Sequence, residues 1–476
     1  MFAQETTFGQ SIEDGNLRSG LAKTLLAATL VAIGVYAAFF ALSLVSLRTD
    51  RTALAVPINA AFGDGALDSH ASWLQGDTGI GAHQYNDCLI LYQALDDRAP
   101  VELRALSPLS VPLDTDNACS ALAAFASGAK APPVRFYHQY LHAHTALARL
   151  LVPPLGVAGV RGLYKLAITL TLLAGIGYAL LGLVHRRSIP DQIVWLAIFL
   201  VFSRWFGLES FGQSLGHGPA DLIPLVFLLF LQRASATLPI TPRTAIIASA
   251  TFGALTMQFE FLTGGIPLGL SVVIGALPLA LPCRGDMAIT VIRSAFAYIT
   301  AIAATAAAKL ALVAIVFGPP TLIDLGHQFL FRTGIGSVAS RDVPIGWGEY
   351  WRHDWAGIEA LAPGMHLLAV GMLVVAVSAA GWGYSQLRVA ANAGMRLRAV
   401  ALLASMLVPP LWMVVFWQHT AEHAWFMDRI LVWIIAAGGA LFVLAVAQGP
   451  STAALSFPFR PTQAREGGDR LIEELH

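Results

Sequence analysis

Apolar residues fall in long runs along this chain, broken by short basic or polar connections, and only one polar passage is long. The first run, 25–47, is followed by Arg48 and Arg51 rather than by small residues suited to cleavage, so 22–47 reads as an uncleaved first transmembrane helix. Further runs near 162–184, 189–208, 219–233, 244–262, 264–282, 288–318, 365–384, 399–417 and 429–448 approach the ~20 residues that a bilayer requires. The shorter ones are expected to be tilted or half-buried. The pattern predicts an all-α protein, a polytopic transmembrane helix bundle of about ten spans with a large outward-facing first loop.

The short connections carry the orientation. His185, Arg186 and Arg187, then Arg233 with Arg243, Arg284 with Arg293, and Arg388 with Arg396 and Arg398 fall on one side, which the positive-inside rule makes cytoplasmic. The N-terminus (1–21) and the tail (449–476) are then cytoplasmic. The large loop 48–161 is periplasmic, and so are the loops 209–218, 319–364 and 418–428 that interrupt the bundle at 162–448. A multi-pass protein of a bacterial inner membrane is expected. Composition agrees: of 476 residues 56% are hydrophobic and 12% charged, and the mean hydropathy is +0.65. That excludes an ordinary soluble domain, and a formal net charge of zero gives no sign of a nucleic-acid partner.

Polar chemistry concentrates in the large loop, in GDGALDSH (63–70), HQYNDC (83–88) and RFYHQYLHAH (135–144). Asp64, Asp68 and Asp87 are its candidate bases. Tyr137, His138 and Tyr140 through Arg149 read as an interfacial helix ending before Pro153 and Pro154, with His138 and His142 four apart on one face. Arg135, Arg149 and Arg161 flank it and suit a phosphate, because guanidinium pairs with phosphate in bidentate fashion. Glu209, Gln213, His217 and Asp221, then Glu260, then His327, Arg332, Arg341 and Asp342, and finally His419, Glu422, His423, Asp428 and Arg429 converge on the same outward face. Ionisable groups at membrane depth are costly unless paired or functional, so this face is the candidate site. Lys309 lies deep in an Ala-rich span and needs an anionic partner, for which Glu260 is the first candidate.

Cys88 and Cys119 share the large loop, whereas Cys283 falls on the cytoplasmic side. An oxidised pair and two buried thiols both fit the sequence. HTAEH (419–423) formally matches the H-x-x-E-H pattern of one zinc-peptidase class. The protease reading is set aside, since Glu466, Glu473 and Glu474 lie on the cytoplasmic side and cannot supply a third ligand. No cofactor is required, and a divalent metal is left open. The cytoplasmic face offers no P-loop or GxGxxG cradle for a nucleotide.

RFYHQY (135–140), with Arg149 and VRGLYK (160–165), resembles a YWHGY…R…IR passage in a family of uncharacterised bacterial polytopic membrane proteins. HQYNDCLIL, GQSLGHGPAD (212–221), FEFLTGGIPLGL (259–270) and QHTAEHAWFMDR (418–429) resemble that family's D-x-x-x-D-x-x-LL, S-L-x-H-G, FDFLT and NHSxIHxxFTYR segments in the same order. His83, Gln139 and Asp428 depart from its pattern. The architecture is also similar to that of GT-C membrane glycosyltransferases. That likeness implies a polyprenyl-phosphate sugar donor, a glycan or lipid acceptor, and an Asp or Glu base. Asp87 matches the uncharacterised family by motif, and Asp64 or Asp68 the glycosyltransferases by position. Under this reading Arg135, Arg149, Arg429 and Lys309 stabilise the departing phosphate, and His138, His217, His419 and His423 position the sugar or its phosphate. Tyr137, His142 and Glu260 complete the expected substrate site. The alternatives are a lipid-linked substrate carrier or flippase, a periplasm-facing acyltransferase or polymerase of envelope polysaccharide, and a non-catalytic assembly partner. The sequence has no internal repeat of the kind carriers show.

Overall fold

The long apolar runs become long helices. The computed structural model describes residues 5–70, 84–111, 117–129, 133–185, 188–205, 214–237, 240–260, 264–282, 286–335, 346–359, 365–389 and 393–448. Glu209, Gln213, Cys283, Arg284, Arg341, Asp342 and the tail lie outside the described residues. Among the described residues, seven helical stretches are long and apolar enough to cross a membrane: Gly20–Ser46, Ala143–Val184, His217–Ala236, Met287–Phe317, Leu367–Leu387, Ala393–Val415 and Arg429–Gln448. The three remaining expected spans are shorter helical stretches, Ile189–Ser203, Pro242–Phe259 and Gly265–Ala280. The protein is thus an all-α, multi-pass membrane bundle, in which some of the expected spans are short among the described residues. One cause is local, because Pro278 falls where the 264–282 run breaks into two helices.

In chain order, α1 (Glu5–Ser46) leads into a loop domain containing α2 (Arg51–Gly63), α3 (Tyr85–Leu95), α4 (Val101–Leu106), β1 (Leu109–Ser110), α5 (Ala118–Ala126) and β2 (Arg135–Phe136). The bundle continues with α6 (Ala143–Val184), α7 (Ile189–Trp205), α8 (His217–Ala236), α9 (Pro242–Phe259), α10 (Gly265–Gly275), α11 (Leu277–Ala280) and α12 (Met287–Phe317). After it come α13 (Pro320–Arg332), α14 (Trp347–Glu359), α15 (Met365–Leu387), α16 (Ala393–Ser405) and α17 (Val408–Val415). The chain closes with α18 (Trp417–Glu422), α19 (Ala424–Met427) and α20 (Val432–Gln448).

Local signals set the loop domain. Asp50 caps α2, its Oδ2 accepting from the N–H groups of Thr52 and Ala53 at 2.8 and 3.3 Å. Asn117 does the same for α5 through Cys119 and Ser120, at 2.8 and 3.3 Å. Cys88 and Cys119 are disulfide-bonded, joining α3 to α5 with their Cα atoms 4.9 Å apart. Around them Leu54, Ile58, Leu91, Tyr92, Leu122 and Phe125 form a separate small core. A crosslink closing this loop stabilises by about 3–4 kcal/mol in the chain-entropy model. Replacing both cysteines by serine is therefore expected to make the loop domain, and not the bundle, sensitive to limited proteolysis.

The expected interfacial helix forms differently. Residues 137–142 are not helical, because β2 pairs with β1 (Ser110 opposite Arg135, Leu109 opposite Phe136) and the N–H of Tyr137 donates to the Pro108 carbonyl at 2.9 Å. His138 and His142 therefore do not share a helical face. Helix α6 starts only at Ala143 and is interrupted at Gly156 (φ 69°), just past Pro153 and Pro154, so it consists of two helical segments joined at a kink.

Within the bundle, α12 lies along α9 and α1, α20 along α15 and α7, and α6 against α7 and α8. Small residues allow the closest approaches: Gly253 faces the Tyr298 backbone and Gly438 that of Ala376, where a Cβ would clash. Trp195, Phe199, Phe202 and Trp433 fill the main core. Leu166, Leu170 and Leu173 on α6, like Val374 and Val375 on α15, are exposed, as hydrocarbon-facing side chains should be.

Candidate functional site

One large cavity opens where the loop domain meets the bundle, with a volume of about 650 Å³. Its walls come from the segment after β2 (His138 to Leu141), the α9–α10 junction (Met257, Glu260, Ile266), α12 (Ile302, Lys309, Leu310), α13 (Leu322, Leu325, Phe329, Arg332) and Trp412 and Phe416. Most of this lining is apolar. The charged side chains on it are Glu260, Lys309 and Arg332.

Lys309 is buried, at 3% exposure. Its Nζ donates to the Tyr140 carbonyl and lies 3.0 Å from Nε2 of His142. That corrects the expected pairing with Glu260: among the described residues no carboxylate makes an ion pair with Lys309. Along α12 it sits eight residues, about 12 Å, below Phe317. The same His142 nitrogen is 3.0 Å from the Tyr137 carbonyl, so it either donates to that carbonyl or accepts from Lys309. Burial first, and the Lys309 charge second, hold the His142 imidazole well below its usual range.

Glu260 terminates α9, and its Oε2 accepts from the N–H of Ile266 in the first turn of α10, at 3.2 Å. His138 is hydrogen-bonded through Nδ1 to the Ser107 hydroxyl at 2.9 Å and packs on Phe317, ring centroids 4.5 Å apart. Burial, then the Lys309 and Arg135 charges, lower it to about 4, so it is neutral at ordinary pH. Arg332 ends α13, 5.7 Å above the Tyr140 ring, with Nη1 2.6 Å from Nδ1 of His419. Tyr137 and Tyr140 are buried, and burial pushes both phenols up.

The other expected site residues take different places. Asp87 is fully buried in the first turn of α3. One of its oxygens meets Arg161 through Nε at 2.8 Å and Nη2 at 2.7 Å. The other accepts from the Leu215 N–H at 2.7 Å, just ahead of α8. Burial pushes its carboxyl up and Arg161 opposes the shift. Arg161, expected near a phosphate, also donates to the Ala66 carbonyl at 2.7 Å. Asp64 is exposed at the end of α2, and Asp68 accepts from the His70 N–H at 2.7 Å. None of the three aspartates lines the cavity.

Three of the expected phosphate ligands are also elsewhere. Arg149 is buried and donates to the carbonyls of Gln93 and Ala94, at 2.8 and 3.2 Å, which are among the last that α3 leaves unpaired. Arg429, in the 3-10 turn just ahead of α20, is ion-paired with Asp221 of α8, both fully buried. Arg135 is exposed on β2. His217 is buried at the start of α8. His419 and His423 stand beside the cavity wall, reached through Arg332. Of the expected set, His138, Glu260 and Lys309 line the cavity together, with His142 behind Lys309 and Tyr137 behind His142.

Sequence reading placed Arg332 on the outward face but gave it no role, and it missed α13 as a wall. The signal was present: Leu322, Leu325 and Phe329 recur at i, i+3 and i+7 inside a loop otherwise read as irregular.

These features define a multi-pass helical membrane protein with an amphipathic cavity at one end of its bundle. Comparison with protein-family models, with characterised proteins and with solved structures gives no match.

Proposed function

We propose that the chain is an integral-membrane glycosyltransferase acting at the periplasmic face of a bacterial inner membrane on a polyprenyl-phosphate-linked sugar. The observation that carries the reading is Lys309, buried on the wall of an apolar cavity with no carboxylate ion-paired to it among the described residues. A lone charge at that depth is costly, and an anionic headgroup with an apolar tail offsets it on both counts. The cavity volume falls in the ~300–1,000 Å³ range of small-molecule sites, so it suits a headgroup and the first isoprenoid units, the rest of the tail lying between helices. Architectural likeness to GT-C enzymes supports the same reading.

In this scheme Glu260, not an aspartate of the loop domain, is the base. It takes the proton of the acceptor hydroxyl as that oxygen bonds to the anomeric carbon. The bond from that carbon to the phosphate oxygen breaks, and the electron pair leaves with the polyprenyl phosphate. Lys309 and Arg332 stabilise its growing negative charge, while neutral His138 hydrogen-bonds the sugar or phosphate. The test is to offer the protein, in lipid nanodiscs, a panel of polyprenyl-phosphate sugars with glycan and lipid acceptors. Release of polyprenyl phosphate with product supports the proposal. Movement of an intact lipid-linked substrate across the bilayer, without bond making, would identify a carrier instead.

A further inference from the structure

We infer that His419, Glu422 and His423 form a transition-metal site, and that loading it releases Arg332 from His419 into the cavity. The three side chains lie on the last turn of α18 and the residue after it, and their potential ligand atoms are all within 4.8 Å of one another. The two imidazole centroids are 4.7 Å apart. Tetrahedral ligands at zinc-type distances sit about 3.3–3.5 Å apart, so small side-chain rotations close the set. Two imidazoles and one carboxylate are the donors favoured by zinc and its neighbours, and three protein ligands leave a fourth position open. His419 is 1% exposed. Glu422 is already oriented, its Oε1 accepting from Nε2 of Gln418 at 3.0 Å, as outer partners of metal ligands commonly do.

The coupling follows from hydrogen-bond chemistry. A guanidinium only donates, so Nη1 of Arg332 at 2.6 Å requires Nδ1 of His419 to be the acceptor, with the ring hydrogen on Nε2. A metal ion needs a bare ring nitrogen. If it takes Nδ1, it displaces Arg332 directly. If it takes Nε2, the hydrogen moves to Nδ1, which then faces another donor. In either case Arg332 leaves His419, and its guanidinium already borders the cavity beside Tyr140. Metal loading therefore frees the Arg332 guanidinium, already on the wall that carries Lys309, to pair with an anion in the cavity. The site itself does not depend on the sugar-transfer reading; only its consequence for donor binding rests on that reading.

The experiment uses untagged full-length protein in nanodiscs, stripped with a chelator and titrated with Zn²⁺ and, for its visible spectrum, Co²⁺. One ion should bind per chain. His423→Ala should weaken binding by at least ~100-fold and Glu422→Gln by ~10-fold or more. Arg332→Gln, which removes the competitor for His419, should tighten it by roughly tenfold. Absence of stoichiometric binding, or binding unchanged in both ligand variants, overturns the site. Binding no tighter in Arg332→Gln overturns the coupling. Because the readout is the metal, both results are independent of whether any sugar is transferred.

Discussion

Asp87→Asn is expected to destabilise the whole protein, loosening the loop domain from the bundle, rather than to abolish chemistry in an otherwise intact chain. Asparagine keeps the shape and can still accept from the Leu215 N–H, but it leaves the Arg161 guanidinium, whose side chain is only 11% exposed, without its counter-charge. Removing one member of a buried ion pair costs about 3–5 kcal/mol. The pair holds three pieces of chain that are far apart in sequence: α3 through Asp87, α6 and the Ala66 carbonyl through Arg161, and the start of α8 through Leu215. Limited proteolysis of the loop domain and the melting temperature of the purified protein should both report the loss. Arg161→Met on its own should be similarly damaging, and the double variant should recover a substantial part of the stability, because the two groups act as a unit. If Asp87→Asn melts like the wild type yet transfers no sugar, Asp87 is a base after all, and the structural role assigned to it is wrong.

Glu260→Gln should show the opposite pattern. The amide oxygen can still accept from the Ile266 N–H, so folding should change little. A glutamine cannot take a proton, and losing a general base lowers turnover by ~10²–10⁴-fold. Donor binding should stay within a few-fold of wild type, since Lys309 and Arg332 remain. Turnover and donor binding, measured on the same preparation, separate the two effects. Unchanged turnover would move the base to another residue.

The contrast between Asp87 and Glu260 shows where sequence reading succeeds and where it stops. The bundle was legible because lipid imposes length and apolarity on each span, and the all-α, multi-pass class follows from that alone. Polar residues singled out by the alternation of loops do meet in pairs from distant segments: Lys309 with Tyr140, Asp221 with Arg429, and Arg332 with His419. What the sequence does not carry is which polar residues pair with each other. Asp87, Arg149, Arg161 and Arg429 have the composition of a phosphate site. Each is instead consumed by a structural partner more than 50 residues away, at a separation that no local pattern encodes. Helix length near the loops was equally hidden, because Arg135 and Phe136 pair with β1 from across the whole of α5, and residues 137–142 just after them are not helical. Disulfide pairing followed the same rule: both cysteines were visible, and only the docking of α3 on α5 joined them.

The central claim is that the cavity accepts a polyprenyl-phosphate headgroup through Lys309. The most direct measurement is equilibrium binding of a fluorescent polyprenyl phosphate to the full-length protein in nanodiscs, compared with Lys309→Met, which keeps the packing of α12 and removes the charge. The account predicts saturable binding to the wild type that weakens by ~10–100-fold in the variant, the size of one charge-assisted contact to phosphate, while the melting temperature holds or rises. Equal affinity in the two proteins, with the variant folded, would contradict it.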